Sequence, residues 1–124
     1  MVCMVTAHST KLGKEDLYEA FLRQRKLWFV RNLPGITSYK VYRTERRFDP
    51  SGLASQAIRY DVVAVIEYDG SVDEITALYT SHEWIAFMDE YMHLLEDDPA
   101  LYVAHEVSET DSLNRDEFAG QAGA

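Results

Sequence analysis

Short apolar runs alternate with longer amphipathic stretches along this chain, and the alternation predicts six elements. Val2 to His8 reads as a first strand. A helix follows, with Gly13 at its cap and Glu15 and Asp16 in a first turn that favours negative charge. Leu17, Ala20, Phe21 and Trp28 lie near one helical face, and Tyr18, Leu22 and Phe29 widen it. Lys11, Lys14, Arg23, Arg25, Lys26 and Arg31 supply a cationic remainder, expected to be a solvated surface. The helix stops at Leu33-Pro34-Gly35: proline lacks the N–H that a helix interior needs, and glycine tolerates a sharp reversal.

A β-rich run begins at Ile36 and extends to about Arg46. Arg47 to Gln56 forms a polar loop with a turn signal at Asp49-Pro50-Ser51-Gly52. Ile58 to Tyr68 is the strongest strand, with Tyr60, Val62, Ala64, Ile66 and Tyr68 on one side. Its centre is apolar on the other side too, through Val63 and Val65. A strand of that kind is covered on both faces. It should pair antiparallel with the strand before it.

Ser71-Val72-Asp73-Glu74 matches a capping box and starts a second helical region. That region carries two apolar stripes: Ile75, Leu78 and Tyr79, then Trp84, Phe87, Met88 and Tyr91. At about 100° per residue, Ile75 and Trp84 fall on opposite sides of a continuous helix. The phase must reset, most simply at Thr80-Ser81-His82, giving a short helix and a second one from about His82 to Leu95. Asp97-Asp98-Pro99 ends it, and Ala100 to Val107 is a last strand. Residues 1–109 form one domain, and residues 110–124 read as a polar, mobile tail.

Composition narrows the function classes. The 124 residues carry a formal net charge of −9, which argues against nucleic acid or an anionic membrane as partner. No apolar run approaches the ~20 residues of a membrane helix. The chain is expected to open directly into a β-like segment without a signal peptide, and its lone cysteine, Cys3, can form no internal disulfide. Cys3 is expected to be a buried, inert thiol, and the chain to be cytoplasmic.

The order β-α-β-β-α-β is that of a ferredoxin-like α+β fold, a four-stranded antiparallel sheet with helices on one face. An apolar bare face calls for a second copy to cover it. Three features carry a family resemblance: Leu33-Pro34-Gly35-Ile36 entering the second strand, Tyr60-Asp61 with Val63, Val65, Glu67 and Tyr68 in the third, and the helix pair split at Ser81-His82-Glu83-Trp84 and followed by Asp89. Through them residues 2 to 109 resemble the dimeric α/β-barrel superfamily, and within it the EthD-like branch. The resemblance implies a homodimer with sheets back to back, and a small-molecule pocket between sheet and helices. Reactions among such proteins run from cyclases and isomerases to cofactor-free monooxygenases and haem-binding dehydratases, so the reaction stays open. EthD-like chains often have a histidine seven residues before Leu-Pro-Gly; here that position is Lys26. A plant polyketide cyclase's histidine would fall near Trp84, and the nearest histidine here is His82.

For the chemistry, His82 at the helix break and Tyr79 one turn earlier are the catalytic candidates, as general base and oxyanion-polarising acid. The competing reading of His82 is a polar surface residue at a helix start. His8, Trp28, Tyr60, Trp84 and Phe87 are candidate substrate-binding residues, aromatic walls suiting a small hydrophobic or aromatic ligand. His8 shares its face with Met4 and Thr6, and His105 with Leu101 and Val103; their strands are placed toward opposite sheet edges, and His93 in the solvent. Arg43 could meet an anionic ligand, or pair with Glu67 or Asp61. No histidines stand at a two-ligand spacing, so no metal and no cofactor are expected. The first expectation is a cofactor-free isomerase, cyclase or lyase moving a proton on an aromatic or enolisable substrate. The alternatives are a non-catalytic binding or accessory protein, or a cofactor-free monooxygenase.

Overall fold

A computed structural model describes residues 2–52, 55–96 and 98–107. The expected tail at 110–124 and Asp97 of the Asp97-Asp98-Pro99 stop lie outside them. Strand β1 (Val2–His8) leads to helix α1 (Glu15–Phe21), a π-helical turn (Leu22–Lys26) and α2 (Leu27–Arg31). Then come β2 (Ile36–Arg43), a small ribbon of β3 (Arg47–Phe48) and β4 (Ser55–Gln56), and β5 (Val62–Tyr68). Helices α3 (Val72–Tyr79) and α4 (His82–Asp89), a 3-10 turn (Met92–Leu94) and β6 (Ala100–His105) complete the chain. The main sheet is antiparallel in the order β2-β5-β1-β6.

That order places β1 in the interior and β6 beside it, so the strands of His8 and His105 are neighbours rather than near opposite edges. The two histidines still stay apart, because antiparallel pairing sets Val2, not His8, opposite His105. The strongest strand is shorter than its sequence suggests. Tyr60 and Asp61 precede it, with Thr44 Oγ1 donating to the Tyr60 carbonyl at 2.7 Å and Thr44 N–H to the Asp61 carbonyl at 2.9 Å. Asp61 Oδ1 in turn accepts the Thr10 N–H at 2.7 Å, tying the loop after β1 to the start of β5.

The reversal at Leu33–Gly35 forms as expected, with Gly35 at φ +84°. A Cβ there would stand 2.5 Å from the Tyr68 ring, so glycine also makes room for that side chain. The capping box forms fully: Ser71 Oγ accepts the Glu74 N–H and Glu74 accepts the Ser71 N–H. The helix break forms where the stripes reset. Helix α3 ends at Tyr79, and Ser81 caps α4 by accepting the Trp84 N–H. Helix α4 ends at Asp89 rather than running on to Leu95, and the 3-10 turn replaces its last stretch. At the first helix Lys14 occupies the cap position without a side-chain bond, and Gly13, at φ +82°, shapes the turn before it.

The first helical region departs most from expectation. Leu17 and Trp28 point outward, 54% and 63% exposed. Tyr18, Leu22, Lys26 and Val30 are the buried side chains instead. That spacing of four drifts by about 40° per step on a regular α-helix. The π-helical turn takes up the drift and keeps all four facing the sheet. Against them pack Met4, Tyr39, Ala64 and Ile66 from the sheet, and Phe87, Tyr91 and Leu95 from the second helical region. The opposite face of the sheet is open. Val5, Tyr42 and Tyr102 stand on it, 41%, 52% and 66% exposed, with Cys3 half-buried among them.

Candidate functional site

Burial of a lysine singles out one place in the molecule. Lys26 is 4% exposed, in the last position of the π-helical turn. Its Nζ donates to the Tyr18 hydroxyl at 2.8 Å and lies 3.9 Å from the centre of the Tyr91 ring. Among the described residues no carboxylate pairs with it, and the low-dielectric surroundings penalise the ammonium and push the amine down to about 7. The neighbouring Arg25 faces the other way. It forms a bidentate pair with Glu90 at 2.9 and 2.8 Å, holding the turn against the end of α4.

His8 lies across from this lysine on the helix-facing side of β1, 4% exposed. Burial and the Lys26 charge pull its imidazole down to about 4, against a smaller upward pull from Asp61. It is therefore neutral near pH 7, and its Nδ1 is buried with no hydrogen-bond partner among the described residues. Burial also raises the Tyr18, Tyr39 and Tyr91 hydroxyls, which keep their protons. The cluster thus holds a lysine that gains and loses a proton near neutrality, a phenol that can donate, and a neutral imidazole with one free nitrogen.

The residues expected from the sequence are dispersed. His82 is exposed on the first turn of α4 and is absent from the linings of the clefts along β2, the cleft at Tyr60 and the void beside Trp84. Tyr79 is half-buried, with its ring 4.9 Å from Trp84. Trp84 and Phe87 are core residues, and Phe87 stacks on Phe29 at 3.9 Å. The space expected for an aromatic pocket is filled by these rings. Among the described residues, the void lined by Trp84 and Tyr79 holds about 10 Å³. Trp28 is on the outer surface, and Tyr60 lines a separate shallow cleft with the Arg59 guanidinium over its ring at 5.1 Å. Arg43 pairs with neither Glu67 nor Asp61; it reaches Glu19 at 3.6 Å. Among the described residues no three His, Cys, Asp or Glu side chains gather as for a metal ion, and no helix is long and apolar enough to cross a membrane.

Lys26 escaped the sequence reading because basic residues around a helix ordinarily mark its wet side. Two signals pointed to it: its spacing of four from Leu22 and Val30, and its place at the EthD-like histidine position.

A cleft of about 400 Å³ lies between the first helical region and edge strand β2. Leu22 and Val62 are its buried residues. Leu22 is one turn from Lys26, and Val62 is the cross-strand partner of His8. The cleft and the buried cluster therefore share a wall.

This architecture is a ferredoxin-like fold, and solved structures that share it include an EthD family protein and a DABB family protein. An EthD family protein from Bacillus halodurans superposes with a TM-score of 0.61 at 16% identity, covering 86% of this chain and 100% of its own. HapK from Hahella chejuensis gives 0.65 at 13% identity, covering 92% and 100%. A DABB family protein with a ferredoxin-like fold from Mesorhizobium loti gives 0.62 at 12% identity, covering 86% and 97%. No family sequence profile and no curated protein sequence matches the chain.

Proposed function

We propose that this protein binds a small organic molecule and moves a proton on it, without a cofactor, as an isomerase, cyclase or lyase does with an enolisable or aromatic substrate. The observation that carries the reading is the buried Lys26 amine, bonded to Tyr18 and facing a neutral His8. A lysine held near neutrality is a general base matched to its working pH. Tyr18 is the hydrogen-bond donor that would steady a developing enolate oxygen once Lys26 has taken the proton. His8 Nδ1, without a partner among the described residues, is open to a hydrogen bond with a substrate hydroxyl. This cluster takes the role that the sequence suggested for His82 and Tyr79. Substrate reaches it from the cleft by displacing Leu22.

The tight interior favours a second reading, in which the ligand stays in the cleft and no chemistry follows. A panel of aryl ketones, β-diketones and naphthols in D₂O separates the two. The catalytic reading predicts protein-dependent deuterium uptake at an acidic C–H of at least one compound, lost in Lys26→Met while the fold is kept. Uptake that persists in Lys26→Met, or binding without any uptake, overturns it.

We further propose that the protein works as a homodimer through the open sheet face. Val5, Tyr42 and Tyr102 form there an apolar surface that a second sheet would cover.

A further inference from the structure

The chain is acidic, yet the cleft beside β2 is not. Four of the twelve Lys and Arg residues line it: Arg23, Arg31, Lys40 and Arg43. One carboxylate, Glu19, stands among them and is shared, 3.6 Å from Arg43 and 4.0 Å from Arg23. Arg31 is held in place by donating to the Tyr39 carbonyl at 3.2 and 3.0 Å, bonds that leave its positive charge uncompensated. Lys40 makes no ion pair among the described residues.

The geometry sorts charge from apolar surface. Leu22, Leu27, Val41 and Val62 form the floor. The cationic groups ring it, and β2 is the edge strand of the main sheet beside them. Arg31 and Lys40 also border a second cleft of about 330 Å³ further along β2, so the charge extends around the strand edge. A neutral apolar ligand has no use for such a rim. An anion without an apolar body has none for the floor.

We propose that this cleft binds a small organic acid, its apolar or aromatic body on the Leu27–Val41 floor and its carboxylate or phenolate at Arg31, Lys40 and Arg43. This names the ligand class for the site proposed above. It rests on that reading for the chemistry that follows binding, though not for binding itself.

The test is titration of ¹⁵N-labelled protein with 2-naphthoate and, in parallel, with uncharged 2-naphthalenemethanol. The acid should shift the amides of β2 and of the first helical region, and its binding should weaken as salt is added. Lys40→Gln with Arg43→Gln should weaken it by roughly tenfold, a loss of one good charge contact. The alcohol should show no such loss. Single Lys40→Gln, a change at an exposed side chain, gives a smaller loss if the double variant unfolds. Equal binding of acid and alcohol, shifts away from β2, or full affinity in the charge variants would overturn the proposal. Binding in the cleft with no deuterium uptake would leave it standing and overturn the catalytic reading alone.

Discussion

Replacing Lys26 by Met should change how stability depends on pH more than it changes stability at any single pH. Burial takes the amine from 10.5 to about 7, so the unfolded chain holds a proton between those values that the folded chain has given up. Stability therefore rises with pH across that window. Raising the pH from 7 to about 9.5 should add about 3 kcal/mol in the wild type. Stopping there keeps tyrosine ionisation a minor contribution. Met has no such dependence. It also loses the bond to Tyr18 and strands a buried hydroxyl, which costs about 2–3 kcal/mol at every pH. At pH 7 removal of the desolvated amine is worth about 4 kcal/mol, so Lys26→Met should be the more stable protein by about 1–2 kcal/mol. Near pH 9.5 the order should reverse by about 1 kcal/mol. Urea unfolding followed by tryptophan fluorescence at a series of pH values measures this directly. Two parallel curves would refute the argument, because they would mean that Lys26 titrates alike in the folded and unfolded chain.

His8 gives the acid-side counterpart: its imidazole falls from 6.5 to about 4, so folding stability should drop by about 3 kcal/mol as pH falls through that range, and NMR should find the ring still neutral at pH 5.5; a ring midpoint above 6 contradicts this. The wild type should sediment as a dimer, and Val5→Lys with Tyr102→Lys on the open sheet face should give a folded monomer; a wild-type monomer at high concentration refutes the pairing. Gly35→Ala should cost about 2 kcal/mol or more, through a positive φ and the 2.5 Å approach to Tyr68, read as a lower unfolding midpoint. Ser81→Ala should cost about 1 kcal/mol by uncapping α4, and an unchanged midpoint would show that the cap is dispensable.

Features with a local cause were legible in the sequence. Ser71 and Glu74 lie within one turn of each other, and their capping box formed as expected. The opposed stripes of Ile75 and Trp84 required a break, and the chain breaks at Thr80 and Ser81. The alternation from Val62 to Tyr68 reports burial of one face, and those alternate side chains are buried. What was not legible depends on geometry beyond the local period. A π-helical turn leaves no clear mark in sequence, so the first helix was read at 3.6 residues per turn. That reading turned Leu17 and Trp28 inward and Lys26 outward, the reverse of what the structure holds. The β3–β4 ribbon looked like loop because its strands are two residues each. The expected aromatic pocket and the observed ring-packed core have the same composition, and only the distance between rings tells them apart. The cationic cleft was invisible for another reason: Arg23, Arg31, Lys40 and Arg43 come from two elements that only the fold brings together.

The central claim is that Lys26 exchanges its proton near neutral pH inside the folded protein. Titration of the Lys26 ¹³Cε and ¹⁵Nζ signals in specifically labelled protein tests it most directly, with Lys26→Met to assign them. A midpoint close to 7 is the predicted result. A midpoint above 10, as for a lysine in water, would contradict the account and make Lys26 one more solvated cation on the helix.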